Sequence, residues 1–198
     1  MKSKNTLPVL FFIAALAITF ACDSSGAADP VGSGELTVNG QAYRLARLYT
    51  DYRGRVSEGV YNFDLYLVSD ELAPNRSSGV GEIVHLEMYF PEPRITSGTY
   101  PLSTVFPIPA PSFSDFSSIE IRWRAATDES DHLWWLTGGV VTISIDGPTY
   151  TINGHVDIED DYGDSGSAAI SFSGPIAQAF TDLGTQQIPR SLSGFRTR

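Results

Sequence analysis

The densest group of potential ligand atoms in the sequence is the acidic run HVDIEDDYGD, residues 155–164. Asp157, Glu159 and Asp161 alternate along a predicted strand and therefore point to one face, and Asp164 follows in the turn. Carboxylates at this spacing repel one another unless a hard cation or salt relieves them, and Ca²⁺ takes about six to eight oxygen ligands. These four side chains form a candidate Ca²⁺ site, and a solvated acidic turn is the simpler alternative.

A second motif, Gly163-Asp164-Ser165-Gly166, resembles the sequence around the nucleophile of chymotrypsin-like serine proteases. A nucleophilic serine needs a histidine base within hydrogen-bond reach, and a carboxylate must orient that base. The candidate bases are His85, His132 and His155, of which His155 lies on a predicted strand that runs into the same turn. The Gly-Pro that follows in the protease family is replaced by Ser167-Ala168, so a hairpin turn rich in Gly and Asp explains the motif better.

Tryptophan side chains mark a candidate binding surface. Adjacent strand residues face opposite sides of a sheet, so Trp134 and Trp135 cannot easily share one core. One of these indoles placed beside Trp123 would make an aromatic platform of the kind that stacks on sugars or on a partner protein. The alternative is that one indole is buried and the other is covered by the proline-rich loop at 101–116 or by the C-terminal tail. The acidic loop DESDH, residues 128–132, is a weaker candidate metal site because it holds one imidazole.

Cys22 is the only cysteine of the chain, so it cannot close an intramolecular disulfide. It follows a basic start at Lys2 and Lys4 and an apolar run from Leu7 to Ala21, which is the layout of a secretory signal. The run is shorter than the roughly 20 apolar residues of a spanning helix, and no basic segment follows it. A permanent transmembrane anchor is therefore not expected.

The residues leading to Cys22 resemble the lipobox of bacterial lipoproteins, with Ala21 directly before the cysteine and Thr19 where that family prefers Leu. The resemblance implies that Cys22 becomes the first residue of the mature protein and carries a diacylglyceryl thioether and an amide-linked acyl chain. Buried acyl methylenes contribute about 0.8 kcal/mol each, so several chains hold a domain at a membrane. A plain secreted protein with a spare thiol is the alternative.

The charge of the chain limits its partners. It carries 13 basic and 23 acidic residues, and its only lysines, Lys2 and Lys4, lie in the predicted signal. Nucleic acid and anionic headgroups both require clustered Lys and Arg, so we expect neither to be bound electrostatically. The absence of lysine beside abundant Asp and Glu is typical of proteins from salt-loving bacteria, although a GC-rich genome would also favour arginine.

From Glu35 onward, apolar residues recur at every second position in segments bounded by Gly, Pro, Asn and Asp, which predicts strands. Asn39-Gly40 predicts a type I′ hairpin. One face of each strand is apolar and the other polar, which predicts antiparallel pairing with the second face solvated. The residues predicted to face the core are Tyr61, Phe63, Leu65, Leu67, Val84, Leu86, Met88, Phe90, Ile119, Ile121, Trp123, Val141, Ile143, Ile145, Tyr150, Ile152, Val156, Ile158, Ala168, Ile170 and Phe172, and those predicted to face outward include Asn62, Asp64, Tyr66, His85 and Glu87.

The predicted fold is all-β: a single antiparallel meander of about eight or nine strands that forms a calycin-like barrel or a curved β-sandwich. The predicted organisation is a signal peptide at 1–21, a flexible lipid-anchored tether at 22–34, a β domain at 35–176 and a C-terminal tail at 177–198. Within the tail, AQAFTDLG is a candidate short helix, and packing of the tail on the domain is left open.

This organisation resembles the small all-β lipoproteins of Gram-negative bacteria, which implies a location in the cell envelope on the inner or outer membrane. No paired carboxylates, metal triad or nucleophile constellation is readable in the sequence, so we do not expect an enzyme. The first hypothesis is a non-catalytic binding module for a small ligand, a glycan or an envelope protein. The second is a structural or assembly subunit of an envelope complex, and a hydrolase is the third.

Overall fold

A computed structural model describes residues 31–72 and 78–177. Cys22, the predicted signal peptide and the tail from residue 178 lie outside the described residues, as does most of the candidate helix. Within the described ranges, no helix is long and apolar enough to cross a membrane. The strands are β1 Ser33–Val38, β2 Gln41–Leu45, β3 Arg47–Ser57, β4 Val60–Val68, β5 Val80–Phe90, β6 Gly98–Ser103, β7 Ser112–Ser114, β8 Ser118–Arg124, β9 His132–Asp146, β10 Thr149–Asp160 and β11 Ser165–Pro175.

The all-β prediction is confirmed, whereas a single meander of eight or nine strands is not. The described residues form an 11-stranded sheet in the order β2-β1-β11-β10-β9-β6-β7-β5-β4-β3, with β8 paired to both β5 and β9. The difference in strand number arises in the segment 98–116, whose proline-rich sequence predicts a loop. It contributes β6 and β7, which pair in parallel.

Hydrogen-bonded strand pairs close a five-stranded barrel. The first half of β5 pairs with β8 and its second half with β7. The start of β9 pairs with β8 and its later part with β6, and the β6–β7 pair completes the ring. One strand therefore separates β5 from β9 at their starts, whereas two strands separate them towards their ends. Neighbouring strands lie about 4.8 Å apart. The sheet between β5 and β9 is therefore wider, by roughly one strand, at the end where these two strands finish.

The remaining strands extend from β5 and β9 and meet at Ala46. The Ala46 N–H donates to the Val68 carbonyl (2.8 Å), and the Ala46 carbonyl accepts from the Gly32 N–H (2.7 Å). Beyond this point, Leu48 of β3 forms a parallel bridge with Ile176, directly after β11. One bent run of chain, β2 followed by β3, thus joins the two ends of the sheet.

The predicted inward positions of β4, β5, β9, β10 and β11 line the main core, and Tyr61, Ile145 and Tyr150 are half-buried at its margin. Trp123 is the exception. Arg122 adopts a positive φ of 53°, which breaks the alternation of β8 after Ile121. Trp123 therefore joins a second cluster on the other face of the sheet, so the prediction that it packs beside Ile119 is wrong.

The prediction of a solvated second face is also wrong for β4 and β5. Four residues on the face that points away from the main core are buried: Asn62, Asp64, Tyr66 and His85. The second cluster covers this outer face because apolar groups from several segments converge on it: Tyr49, Tyr66, Val68, Leu72, Ile83, Trp123 and Ala177. Ala177, the first residue of the predicted tail, is 1% exposed, and β1 begins within the predicted tether at Ser33.

The predicted hairpin at Asn39-Gly40 is confirmed. Both residues adopt positive φ, 48° at Asn39 and 84° at Gly40, as a type I′ turn requires. The β1–β2 register across the turn pairs Val38 with Gln41. Local sequence alone therefore determines this connection.

Replacement of Gly139 by alanine tests the packing of β9 against β10. Gly139 has a φ of 104°, and a Cβ added there would collide with the backbone carbonyl of His155. We expect Gly139→Ala to lower the free energy of unfolding by about 2 kcal/mol or more. The measurement is chemical denaturation. The control is Gly147→Ala, where φ is 56° and the added Cβ meets no other atom within 4 Å. Only the cost of placing alanine at a positive φ, about 1 kcal/mol, applies there. Equal losses in the two variants would show that the contact with β10 is unimportant.

Candidate functional site

The structure does not bring the candidate tryptophans into one platform. Trp123 lies in the second cluster, and its indole N–H donates to Asp128 Oδ1 (3.1 Å). Trp134 packs against the main core, while the Trp135 N–H donates to Asp161 Oδ1 (2.9 Å). No ring contact links the three indoles within the described part of the chain.

Two of the candidate Ca²⁺ ligands, Asp157 and Glu159, lie on β10. They share its outer face because the buried Ile158 between them points into the core. Asp157 is exposed, whereas Glu159 is half-buried opposite Trp135 of β9. Their placement agrees with the alternation predicted from the sequence.

The other two candidate Ca²⁺ ligands, Asp161 and Asp164, lie in the turn after β10. Asp160, which the sequence analysis did not single out, organises this turn by accepting hydrogen bonds from the N–H groups of Tyr162 and Asp164 (both 2.9 Å). No group of three or more His, Cys, Asp or Glu side chains is arranged to hold a metal ion among residues 31–72 and 78–177. Calcium binding at the four carboxylates stays a prediction.

The GDSG motif lies in the same turn and at the start of β11, with Ser165 exposed. His155 is exposed on β10 opposite Val140 and Ala169. The motif has a structural explanation, since the Ser167 N–H donates to the Asn39 side chain (3.1 Å) and a Cβ on Gly166 would collide with that side chain. Glycine at this position therefore lets the β1–β2 turn dock on β11.

The sequence analysis missed a buried polar cluster on the outer face of β3, β4 and β5. Strand register places Asp51 opposite Asp64 and Asp64 opposite Glu87, so three carboxylates form one row across the sheet. The neighbouring row pairs Tyr66 with His85, whose rings stack at 4.8 Å. The full cluster comprises Asp51, Arg53, Asn62, Asp64, Tyr66, His85, Glu87 and Tyr89.

Asp64 is the centre of this cluster. Its side chain is 4% exposed, and Oδ2 accepts from Arg53 Nε (2.5 Å) and from the Tyr66 hydroxyl (3.2 Å). His85 Nε2 lies 3.1 Å from Oδ1, and both ring nitrogens are buried without a hydrogen-bond partner among the residues that the structure describes. Burial by itself raises the pKa of Asp64. His85 and Arg53 together have a larger, opposite effect, so the pKa of Asp64 lies below its ordinary value.

Glu87 forms the second half of the cluster. Its Oε1 accepts from Asn62 Nδ2 and from the Tyr89 hydroxyl, both at 3.0 Å. Burial, together with the nearby Glu87 carboxylate, raises the pKa of Tyr89, so the phenol stays protonated and donates. Ser118 lies opposite His85, but it is 0% exposed, so its hydroxyl is not accessible to a substrate. The cluster therefore links β3, β4 and β5 through side-chain hydrogen bonds and ion pairs.

A cleft of about 710 Å³ opens at the wide end of the barrel, where two strands separate β5 from β9. Its apolar lining is formed by Phe63, Pro93, Ile95, Ile145, Tyr150 and Ile176, and its polar lining by Thr50, Glu92, Arg94, Thr96 and Ser97. Most polar lining residues lie in the loop between β5 and β6. This loop, PEPRITS, was not singled out from the sequence, because none of its residues carries a local signal that it borders a cleft.

Hydrogen bonds fix the loop that forms this rim. The buried Tyr100 hydroxyl donates to the Thr96 carbonyl (2.6 Å), and the Ser97 hydroxyl accepts from the Ile145 N–H (3.0 Å). At the outer edge, Arg94 pairs with Glu92 at 2.7 Å. The rim is thus attached both to the core and to the end of β9, which preforms the cleft.

Comparison with known protein families, with curated proteins and with solved structures finds no match for this chain. Its function therefore has to be argued from the geometry of its own sites. Of the two regions above, the polar cluster has its centre, Asp64 and His85, buried in the sheet, and the cleft is the region with room for a ligand.

Replacement of Asp64 by asparagine tests the buried polar cluster. Because its folded-state pKa lies below the ordinary value, charged Asp64 stabilises the fold above about pH 4, and this stabilisation disappears as the pH falls through the folded-state pKa. We expect Asp64→Asn to lower the free energy of unfolding by about 2 kcal/mol at neutral pH, and the difference from the wild type should shrink towards pH 2.

Denaturation curves across this pH range provide the measurement. The control is Asp70→Asn, because the Asp70 side chain is 47% exposed and pairs with Arg47 at the surface (2.8 Å). Such a pair contributes about 0–1 kcal/mol. A pH-independent difference for Asp64→Asn would mean that the charge of Asp64 does not stabilise the fold.

Proposed function

We propose that this protein is a lipid-anchored lipoprotein of the bacterial cell envelope and a non-catalytic binding module. Its ligand is a small molecule that enters the cleft at the wide end of the barrel. The cleft of about 710 Å³ is the observation that carries the proposal. Ligand pockets typically span about 300–1,000 Å³ and combine an apolar lining with a few oriented polar groups.

The lining favours an amphipathic ligand. Ile95, Ile145 and Ile176 supply aliphatic surface, to which Phe63 and Tyr150 add aromatic rings. The polar groups are concentrated in the loop at 92–97. A molecule with an apolar body and one polar end would bury its body against β4, β9 and β10 and leave its polar end at that loop. The proposed binding mode is that of calycin-like barrels, which hold one ligand in the mouth, although the ring closed here has five strands.

The membrane anchor rests on the sequence. A basic start, an apolar run and a lone cysteine at the expected cleavage point support export followed by lipidation of Cys22. The net charge of −10 supports a lipid anchor as well, because an acidic domain is not attracted to anionic headgroups. Lipid would keep the cleft close to the membrane while leaving its mouth open to ligands.

Lipidation can be read from the intact mass of protein extracted from membranes. We expect a single species that lacks residues 1–21 and carries the acyl groups on Cys22. The control is Cys22→Ser, which should leave the membrane fraction because no thioether can form. An unmodified Cys22 in the wild-type protein would refute the anchor and would leave the proposal for the cleft intact.

Ligand binding can be detected by thermal denaturation with fatty acids, aromatic amphiphiles, oligosaccharides and Ca²⁺. A ligand at a hundred times its dissociation constant stabilises the native state by about 2.7 kcal/mol. For a domain of this size we expect a rise of roughly 5–10 °C in the melting midpoint.

A matched pair of variants locates the site. Ile145 lines the cleft, whereas its neighbour Ser144 is exposed on the opposite face of β9. We expect Ile145→Arg to abolish the thermal shift and Ser144→Arg to retain it. A shift that survives Ile145→Arg would place the ligand elsewhere, and a shift with oligosaccharide alone would favour a glycan module.

A further inference from the structure

Three apolar side chains protrude from the wall of the barrel beside β6. Val105 is 66% exposed, Phe106 88% and Phe116 57%. We refer to these residues as the exposed tip. Large apolar side chains that are this exposed and this close together are uncommon on a soluble surface and mark an interaction site.

Strand pairing places the members of the tip side by side. β6 and β7 run parallel, with Leu102 opposite Phe113 and Ser103 opposite Ser114. The two chain segments therefore leave the sheet at the same level. Phe106 follows β6 by three residues and Phe116 follows β7 by two, so both lie just beyond the ends of two adjacent strands.

The segments that carry the tip are fixed to the barrel. Ile108, two residues after Phe106, is turned inward and is 7% exposed. The Ser112 hydroxyl donates to the Pro109 carbonyl, and the Ser114 hydroxyl accepts from the Phe116 N–H (2.9 Å). Phe106 thus stays outside although Ile108, in the same loop, is buried.

The chemistry of the tip matches a lipid bilayer. Residues 95–114 contain no charged side chain, and Asp115, half-buried beside Phe116, is the one charged residue from 95 to 119, in a chain with a net charge of −10. Pro107, Pro109 and Pro111 lack backbone N–H groups, which reduces the number of donors that would lose water in an apolar environment. A protein partner is less suitable, because a stable protein interface needs roughly 800 Å² from each side and the tip offers three apolar side chains.

We infer that the exposed tip inserts into the interfacial region of a zwitterionic bilayer and orients the barrel on the membrane. This is a second membrane contact, separate from the lipid on Cys22 and from the ligand cleft. Because it is apolar, the contact should not weaken with salt, in contrast to electrostatic docking.

The test uses the full chain as extracted from membranes, reconstituted into phosphatidylcholine vesicles. Phe106→Trp reports on the tip, and Tyr162→Trp is the control, since Tyr162 is 95% exposed in the β10–β11 turn outside the tip. The signal of the native tryptophans is subtracted with the wild-type protein. We expect the Phe106→Trp emission to shift to the blue and to be quenched by brominated phosphatidylcholine about twofold more than that of Tyr162→Trp, at low and high salt alike.

Equal quenching at the two positions, or loss of the shift at high salt, would overturn the inference. A blue shift that grows with protein concentration in Phe106→Trp combined with Cys22→Ser, without vesicles, would overturn it in favour of a second copy of this chain. Thermal melts of each variant establish that it is folded. The outcome is separable from the proposed function, because lipidation is read from mass and the cleft from ligand-induced stabilisation.

Discussion

The number of strands between β5 and β9 governs the shape of this barrel. β8 alone spans the gap at their starts, and β6 with β7 spans it towards their ends. An added strand widens the wall by about 4.8 Å. At this wider end Phe63, Phe90 and Tyr100 pack ring against ring, and the cleft opens beside Phe63. The loop that leaves β5 then becomes the rim, held by Tyr100 and by the backbone of Ile145.

The outer face of β3, β4 and β5 also carries buried residues, although it points away from the main core. Apolar side chains from β3, β4, β5 and β8, with Leu72 and Ala177, form a second apolar cluster on that face. Polar residues on that face are buried with it. Asp64 would be costly there without partners, and Arg53, Tyr66 and His85 supply them. The buried polar cluster is thus a consequence of the topology, and it links three neighbouring strands.

The features that local sequence determines were predictable, and those that depend on distant pairing were not. Alternation placed Ile152 and Val156 in the core, and Asn39-Gly40 identified its turn, because each depends on a few adjacent residues. Trp123 was misplaced because Arg122 adopts a positive φ that no alternation rule anticipates. The prolines near β7 concealed a strand whose partners lie far away in sequence.

The cleft and the buried polar cluster could not be predicted for the same reason. Phe63 and Ile145 belong to separate predicted strands and Ile176 follows the last of them, and nothing in the sequence shows that these three residues converge. Alternation predicts that Asp64 and His85 face solvent. Their burial depends on the register of β4 and β5 and on the side chains packed over them, which the sequence does not show. The residues with the most suggestive local chemistry, in HVDIEDDYGD, form a hairpin turn held by Asp160.

Native mass spectrometry of the protein released gently from membranes is the most direct measurement of the central claim, that the wide end of the barrel holds a small molecule. The account predicts a bound species of defined mass on the wild-type protein and on Ser144→Arg, and its absence from Ile145→Arg. A wild-type protein that carries no small molecule, or the same bound mass on all three proteins, would contradict the claim that the cleft is the binding site.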